Sequence, residues 1–256
     1  MKYIDLNCDV GELPEALADQ EAIMRFISSA NIACGGHAGD ANTMRTTIEQ
    51  ALRHKIAIGA HPGYEDTANF GRQELRLSSD EIAGSVHRQI LALDRIAARL
   101  GAHVGHVKAH GALYNQAAQN REIARAIAEG VKRWRTDVIL VGLAGSLMLD
   151  EFRAAGFPVA SEAFADRAYE SDGSLRSRKL KGSLLTDPQA AAEQALQIVK
   201  HQSVTAADGT RVSLRAQTIC IHGDTNGAVQ IADQVRRRLE QVGIRIAALG
   251  TTKSDP

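Results

Sequence analysis

Hydrophobic and polar positions along the chain fall into two periods that take turns. Residues 3–8 alternate over a short span and predict a first strand, with Asp5, Asn7 and Asp9 on one side of it and Glu12 in the loop beyond. Residues 31–34 form a short apolar run that Gly35-Gly36 breaks; His37 and Asp40 follow in a tight loop. Met44, Ile48, Ala51 and Leu52 then recur at helical spacing over 42–54. A third strand, 56–60, runs into His61-Pro62-Gly63 and a long loop with Tyr64, Asp66, Phe70, Gly71 and Arg72. Ser79 is the expected N-cap of a helix reaching Leu100, with Ile82, Val86, Ile90, Leu93 and Ile96 on its apolar face and Gly101 as its stop.

The second half repeats the pattern. Strand four (104–109) ends in His110-Gly111, with Tyr114 and Asn115 in the segment that follows, and 122–134 is helical. Residues 137–143 form an unbroken apolar strand, as expected for a strand covered on both faces. A helix at 146–155 and a strand at 157–164 follow. The irregular stretch 165–187 carries Asp166, Arg167, Tyr169, Arg178 and Lys179; its length and charge suit a lid over a site. Pro188 opens a helix to about Lys200, and 203–214 reads as a small hairpin around Asp208-Gly209. Strand seven (217–221) ends in His222-Gly223-Asp224, a last helix covers 227–242, and 244–249 supplies an eighth strand or a tail across the end.

Strand and helix thus alternate along the whole chain with no linker or composition break, which predicts one domain, 1–256, built on a parallel sheet. No G-x-G-x-x-G follows strand one and no G-x-x-x-x-G-K-[ST] occurs, so an open dinucleotide- or phosphate-binding sheet is disfavoured. Polar residues follow nearly every strand. A closed or distorted α/β barrel with its site at the C-terminal strand ends fits better.

That rim collects the chemistry. A lone histidine at a strand end is more often a structural hydrogen-bonder, but His37, His61, His110 and His222 sit on four separate ends. Two chemistries use the set. In one, Asp9, His37 and His61 bind a divalent metal that activates water, although no H-E-x-x-H or H-x-x-x-H spacing supports it. In the other, histidine and carboxylate act as general acid and base, and Lys108, at the end of an apolar strand, stabilises developing negative charge. The catalytic candidates are Asp9, His37, Lys108, His110 and His222. Asn7, Glu12, His61, Arg72, Tyr114, Asn115, Arg167 and Asp224 are the substrate-binding candidates. His37, Lys108 and His110 are expected to be replaceable with little effect on thermal stability.

Composition narrows the class. Lys plus Arg equals Asp plus Glu at 30 each, so no basic excess marks a nucleic-acid partner. The apolar run 138–149 is too short to span a bilayer, and Asp5 interrupts any signal-peptide core, so the expectation is a cytoplasmic protein without a membrane partner. Cys8, Cys34 and Cys220 have no paired spacing and read as small buried residues.

Six stretches occur in order along nearly the whole chain: DLNCDVGE (5–12), NIACGGHAGD (31–40), IGAHPGYED with FGR (58–72), VKAHGALYN (107–115), EAFADRAY (162–169) and CIHGDT (220–225). Together they resemble the LamB/YcsF family, the A subunits of 5-oxoprolinase. The resemblance implies a distorted seven-stranded parallel β/α (TIM-like) barrel of the glycoside hydrolase and deacetylase type. It also implies ATP-dependent opening of the lactam of 5-oxoproline to L-glutamate, with two further subunits, B and C. ATP would be handled by or with those partners, because this chain lacks a phosphate cradle. A stand-alone metal-dependent deacetylase or carbohydrate hydrolase on the same barrel is the alternative. Gln73, Ala109 and Asn226 depart from the family pattern, where Arg, Pro and Pro are usual.

Overall fold

The computed structural model describes residues 3–13, 17–225 and 227–251. Asn226, one of the three departures, lies outside the described residues. The strands are β1 (Tyr3–Val10), β2 (Ser29–Ala33), β3 (Ala57–His61), β4 (Val104–Lys108), β5 (Ile139–Leu143), β6 (Val159–Phe164) and β9 (Thr218–His222). All pair in parallel in that order, and β9 closes back on β1 with Asn7 opposite Cys220. The seven-stranded barrel expected from the motifs is therefore present.

Helices follow the strands: α1 (Leu17–Ile23), α2 (Ala41–His54), α3 (Ser79–Arg99), α4 (Gly111–Gln119), α5 (Arg121–Lys132), α6 (Leu147–Ala154), α7 (Pro188–His201) and α8 (Ala228–Gln241). The alternation of β1 explains how the layers form. Ile4, Leu6, Cys8 and Val10 join the apolar cluster between barrel and helices, while Asp5, Asn7 and Asp9 hydrogen-bond across the barrel. The interior is accordingly polar, in contrast to the branched aliphatic filling usual in such barrels. At β3 the register shifts between Ile58 and Gly59, and a Cβ on Gly59 would lie 2.1 Å from His106 Nε2. Glycine there makes room for an imidazole inside the barrel.

Three local expectations are revised. Ser78, not Ser79, caps α3, through a capping box with Glu81. Tyr114 and Asn115, whose segment had no assigned element, ride on α4, because Gly111 takes a positive φ of 54° and turns the chain straight from β4 into a helix. The 165–187 segment is partly built in: Arg167 bridges Leu184, Tyr169 bridges Leu175, and Tyr169 is fully buried with its hydroxyl accepting from Phe164 N at 2.8 Å. The hairpin is found as β7 (Ser203–Thr205) and β8 (Arg211–Ser213), antiparallel. The last segment contributes β10 (Arg245–Ile246), parallel to the start of β1. Among the described residues no helix is long and apolar enough to cross a membrane. All three cysteines are buried and free.

Candidate active site

The inward face of β1 organises the site in three steps from bottom to mouth. Asp5 accepts from Ser28 Oγ (2.6 Å), Ser29 Oγ (2.7 Å) and Thr218 Oγ1; burial nevertheless lifts its pKa to about 6. Asn7 donates to Glu162 Oε1 (3.0 Å) and Thr218 Oγ1 (2.6 Å) and accepts from Asn31 Nδ2 (2.7 Å). His106 Nε2 donates to Asn31 Oδ1 at 2.8 Å, a structural place for this histidine as its mid-strand position implies.

At the mouth, Lys108 Nζ lies 2.8 Å from Asp9 Oδ1, 2.9 Å from Glu162 Oε1 and 3.0 Å from Cys220 Sγ, with all four residues buried. Burial opposes the ammonium charge, but Asp9, Cys220 and Glu162 outweigh it and hold the lysine well above its ordinary pKa. Burial likewise opposes the Asp9 carboxylate; His61 and Lys108 overcome this and hold it well below the usual range. Tyr114 Oη donates to Glu162 Oε2 at 2.7 Å. The ammonium is thus shared by two carboxylates whose remaining oxygens are themselves tied down.

A second group lies beside it. Glu12 Oε1 is 3.1 Å from His37 Nε2, 3.2 Å from His110 Nδ1 and 3.9 Å from His61 Nε2. The rings of His37 and His110 stack in parallel, centroids 3.6 Å apart. Gly63 and Gly71 make this possible: a Cβ on Gly63 would sit 2.8 Å from His37 Nδ1, and one on Gly71 2.6 Å from His37 Cβ. Burial pushes the His37 pKa down to about 4 and lowers that of His110, more than Glu12 raises either. A third group pairs His222 Nδ1 with Asp166 Oδ1 at 2.9 Å, and Thr225 Oγ1 donates to Asp166 Oδ2 at 2.8 Å. The His222 ring stacks on Phe164, which leaves Nε2 outside the Asp166 pair. Among the described residues two sets of donors stand close enough together for a metal ion: Glu12, His37, His61 and His110, and separately Asp9, Cys220 and His222.

One cavity of about 820 Å³ opens over these groups, lined by Asp9, His61, Arg72, Lys108, His110, Tyr114, Asn115, Arg167 and His222 among others. Most of the residues singled out from the sequence therefore converge. Four do not line it. Asn7 lies beneath Lys108, Glu12 and His37 lie behind the cavity wall, and Asp224 holds Arg72 and, at 3.4 Å, Arg178. Arg167 lines the cavity, but its guanidinium donates to Arg176 O (2.6 Å) and Ser183 O (3.4 Å), and burial lowers its pKa to about 10. Asp40 proves to be the N-cap of α2, accepting from Thr43 N at 2.8 Å. His37, Lys108 and His110 are all buried in polar networks, a setting in which replacement is expected to cost stability. Asp166 is the site residue that sequence reasoning misses. Its signal is its place two residues past the end of β6, the position at which the other strands present theirs. Of the departures, Gln73 lines the cavity and Ala109 is buried.

A parallel barrel whose C-terminal mouth gathers histidines, carboxylates and a buried lysine around one cavity has the build of a β/α-barrel enzyme. The LamB/YcsF family pattern matches residues 4–254, and the chain belongs to that family. It is 50% identical over 248 residues to the 5-oxoprolinase A subunit of Chloroflexus aggregans, covering 96% of this chain and 98% of that one. It is 47% identical to the protein of the same name from Bordetella pertussis, over 96% of this chain and 98% of that one. A lactam utilization protein from Thermus thermophilus superposes with a TM-score of 0.89 at 44% identity, over 97% of this chain and 100% of that one. A family 4 carbohydrate esterase from Streptomyces lividans shares the fold, with a TM-score of 0.53 at 9% identity over 97% of this chain and 93% of that one.

Proposed function

We propose that this chain is the A component of a 5-oxoprolinase, which opens the lactam of 5-oxoproline to L-glutamate with ATP hydrolysis coupled through two partner subunits, B and C. The observation that carries the reading is identity at the level of half the residues, over nearly full length, to proteins named as 5-oxoprolinase A subunits. The cavity suits it. Arg72 and Arg178 at its rim suit a small carboxylate, and Lys108 on its floor supplies positive charge where an amide oxygen gains negative charge.

A five-membered lactam is a poor electrophile. A phosphoryl group placed on its oxygen activates the ring carbon: water adds there, the C–N bond breaks as the ring nitrogen takes a proton, and a second water releases phosphate from the acyl phosphate left behind. His222 is the imidazole best placed to take the water's proton. Asp166 fixes its Nδ1 and orients the ring, as in other His–carboxylate pairs. His110 is less suited than its sequence position implied, since both ring nitrogens are engaged, with Glu12 and His61 on one side and Phe70 O on the other. His37 is walled off from the cavity. Asp9 positions Lys108 and His61.

The metal-dependent deacetylase remains the second reading, on the strength of the buried Glu12 and histidine group. The test is reconstitution of the purified chain with candidate partner subunits, following glutamate release with and without ATP. ATP-dependent release that requires this chain supports the assignment. Chelator-sensitive, ATP-independent deacetylation by the chain alone, with no release of glutamate, refutes it in favour of the second reading.

A further inference from the structure

We propose that Glu12, His61 and His110 hold one divalent cation of the Zn2+ class at the wall of the cavity. Hydrogen bonding on the outer side of the group fixes the state of the inner side. His61 Nδ1 lies 2.8 Å from the backbone oxygen of Lys108, and His110 Nε2 lies 2.9 Å from that of Phe70. A carbonyl oxygen only accepts, so each of these nitrogens carries the ring's proton. In the neutral rings, His61 Nε2 and His110 Nδ1 are then bare lone pairs. They point at each other across 3.0 Å, and His110 Nδ1 also meets Glu12 Oε1 at 3.2 Å. Three acceptors cannot satisfy one another. A cation between them does, and a backbone carbonyl on the far nitrogen is the usual way a metal-binding histidine is held.

The spacing agrees. Nitrogen and oxygen ligands about 2.0–2.2 Å from a tetrahedral Zn2+ stand roughly 3.3–3.5 Å apart. The Glu12 oxygen is 3.2 and 3.9 Å from the His110 and His61 nitrogens, and the His61 to His110 edge is 3.0 Å. His37 stays outside the set: its ring stacks in parallel on His110, so the two cannot both point a lone pair at one ion, and its Nε2 lies 3.1 Å from Glu12 Oε1. Asp9, the carboxylate that the sequence suggested as a ligand, stands at the edge of the group: its Oδ1 accepts from Lys108 and from Asn31, each at 2.8 Å, and its Oδ2 lies 3.3 Å from His61 Nε2. Glu12 and His110 join His61 instead, and the three donors come from the ends of β1, β3 and β4, so the cation ties those strand ends together.

The metal is read on the chain alone, so the proposal stands or falls separately from the 5-oxoprolinase assignment. The chain, purified without a metal-binding tag and stripped with a chelator, is titrated with Co2+ and then Zn2+. One Co2+ per chain with the visible spectrum of a tetrahedral N/O site, displaced by Zn2+, is the expected result. Zn2+ at a hundredfold excess over its Kd should raise Tm by about 5–10 °C. Glu12→Gln and His61→Ala should weaken Co2+ binding at least tenfold, while His222→Ala binds Co2+ like the unaltered chain, which separates this group from Asp9, Cys220 and His222. Absence of both the Co2+ spectrum and the Tm shift in the unaltered chain overturns the proposal, as does loss of the metal in His222→Ala with retention in Glu12→Gln.

Discussion

Replacing Lys108 by Met removes a charge and leaves a shape of similar length, so it isolates the electrostatic role of the lysine. The side chain is 3% exposed, and its ammonium is the shared partner of Asp9 and Glu162 at 2.8 and 2.9 Å. Without it, two buried carboxylates face each other. Removing one partner of a buried ion pair costs about 3–5 kcal/mol. The cost has a ceiling, because one carboxylate can escape by binding a proton. Against an ordinary carboxyl pKa near 4, that costs about 1.4 kcal/mol per pH unit, roughly 4–5 kcal/mol at pH 7.5 and about 2 kcal/mol at pH 5.5. At roughly 2–4 °C per kcal/mol, Lys108→Met should melt about 8–20 °C below the unaltered chain at pH 7.5, and the gap should shrink by about half at pH 5.5. Adding Glu162→Gln should recover most of the loss by removing the second charge. Thermal melts of the single and double variants at both pH values are the assay. A single variant that melts within about 2 °C of the unaltered chain at both values would show that the ion pairs do not hold the barrel mouth together, and the reasoning from burial would fail.

Three further outcomes are expected. His222→Ala should lower glutamate release in the reconstituted system by about 10²–10⁴-fold, and Asp166→Asn, which keeps the hydrogen bonds but not the charge, should lower it less and shift the pH profile; normal turnover in both would remove the pair from the mechanism. The tip 171–182 should exchange its amide hydrogens much faster than 165–169, whose backbone bonds to Cys220 and to Ser183 anchor the segment, and should slow when 5-oxoproline binds; equal protection throughout would rule out a moving lid. Burial, aided by Lys108 and His61, holds His106 at about 4, so between about pH 6.5 and 4 the unfolded chain binds a proton that the folded chain does not. Stability should therefore fall with pH across that window, by up to about 3 kcal/mol from this ring, and His106→Gln should flatten the slope measured by urea unfolding at a series of pH values.

The fold was legible because each strand is short, apolar and punctuated by glycine or by the first polar residue of a loop. Period two in 3–9 separated Asp5, Asn7 and Asp9 from Ile4, Leu6 and Cys8 and so identified the inward face before any contact was known. Helix α4 was not legible. Gly111 marked only the end of strand four, and the positive φ at that glycine reveals the start of a helix. Convergence of the histidines was legible as strand-end placement, but their division of labour was not. His37 and His110 look alike in sequence, each following a strand. The difference arises from Gly63 and Gly71, which let the two rings stack and place one of them behind the wall. Asp166 was hidden by its setting in a charged stretch, where only its place two residues past β6 distinguishes the carboxylate buried against His222 from its neighbours Glu170 and Asp172.

The polar interior follows from where the apolar adhesion lies. In β1 the outward residues pack on the helices, and the barrel is held from outside, which frees the inside for hydrogen bonding. Buried polar groups destabilise unless they are partnered. Here they form one chain of contacts, from Asp5 through Thr218 and Asn7 to Glu162 and Lys108, with Asn31 and His106 joined at its middle. Each link is a directional contact between strands that are already in register, so a displacement at the bottom of the barrel would have to lengthen a hydrogen bond at every step to reach the mouth. The network therefore does for Lys108 and Asp9 what aliphatic packing does for the residues of an ordinary barrel. It fixes their positions before a substrate arrives, and it does so with groups that also set the charge at the cavity floor.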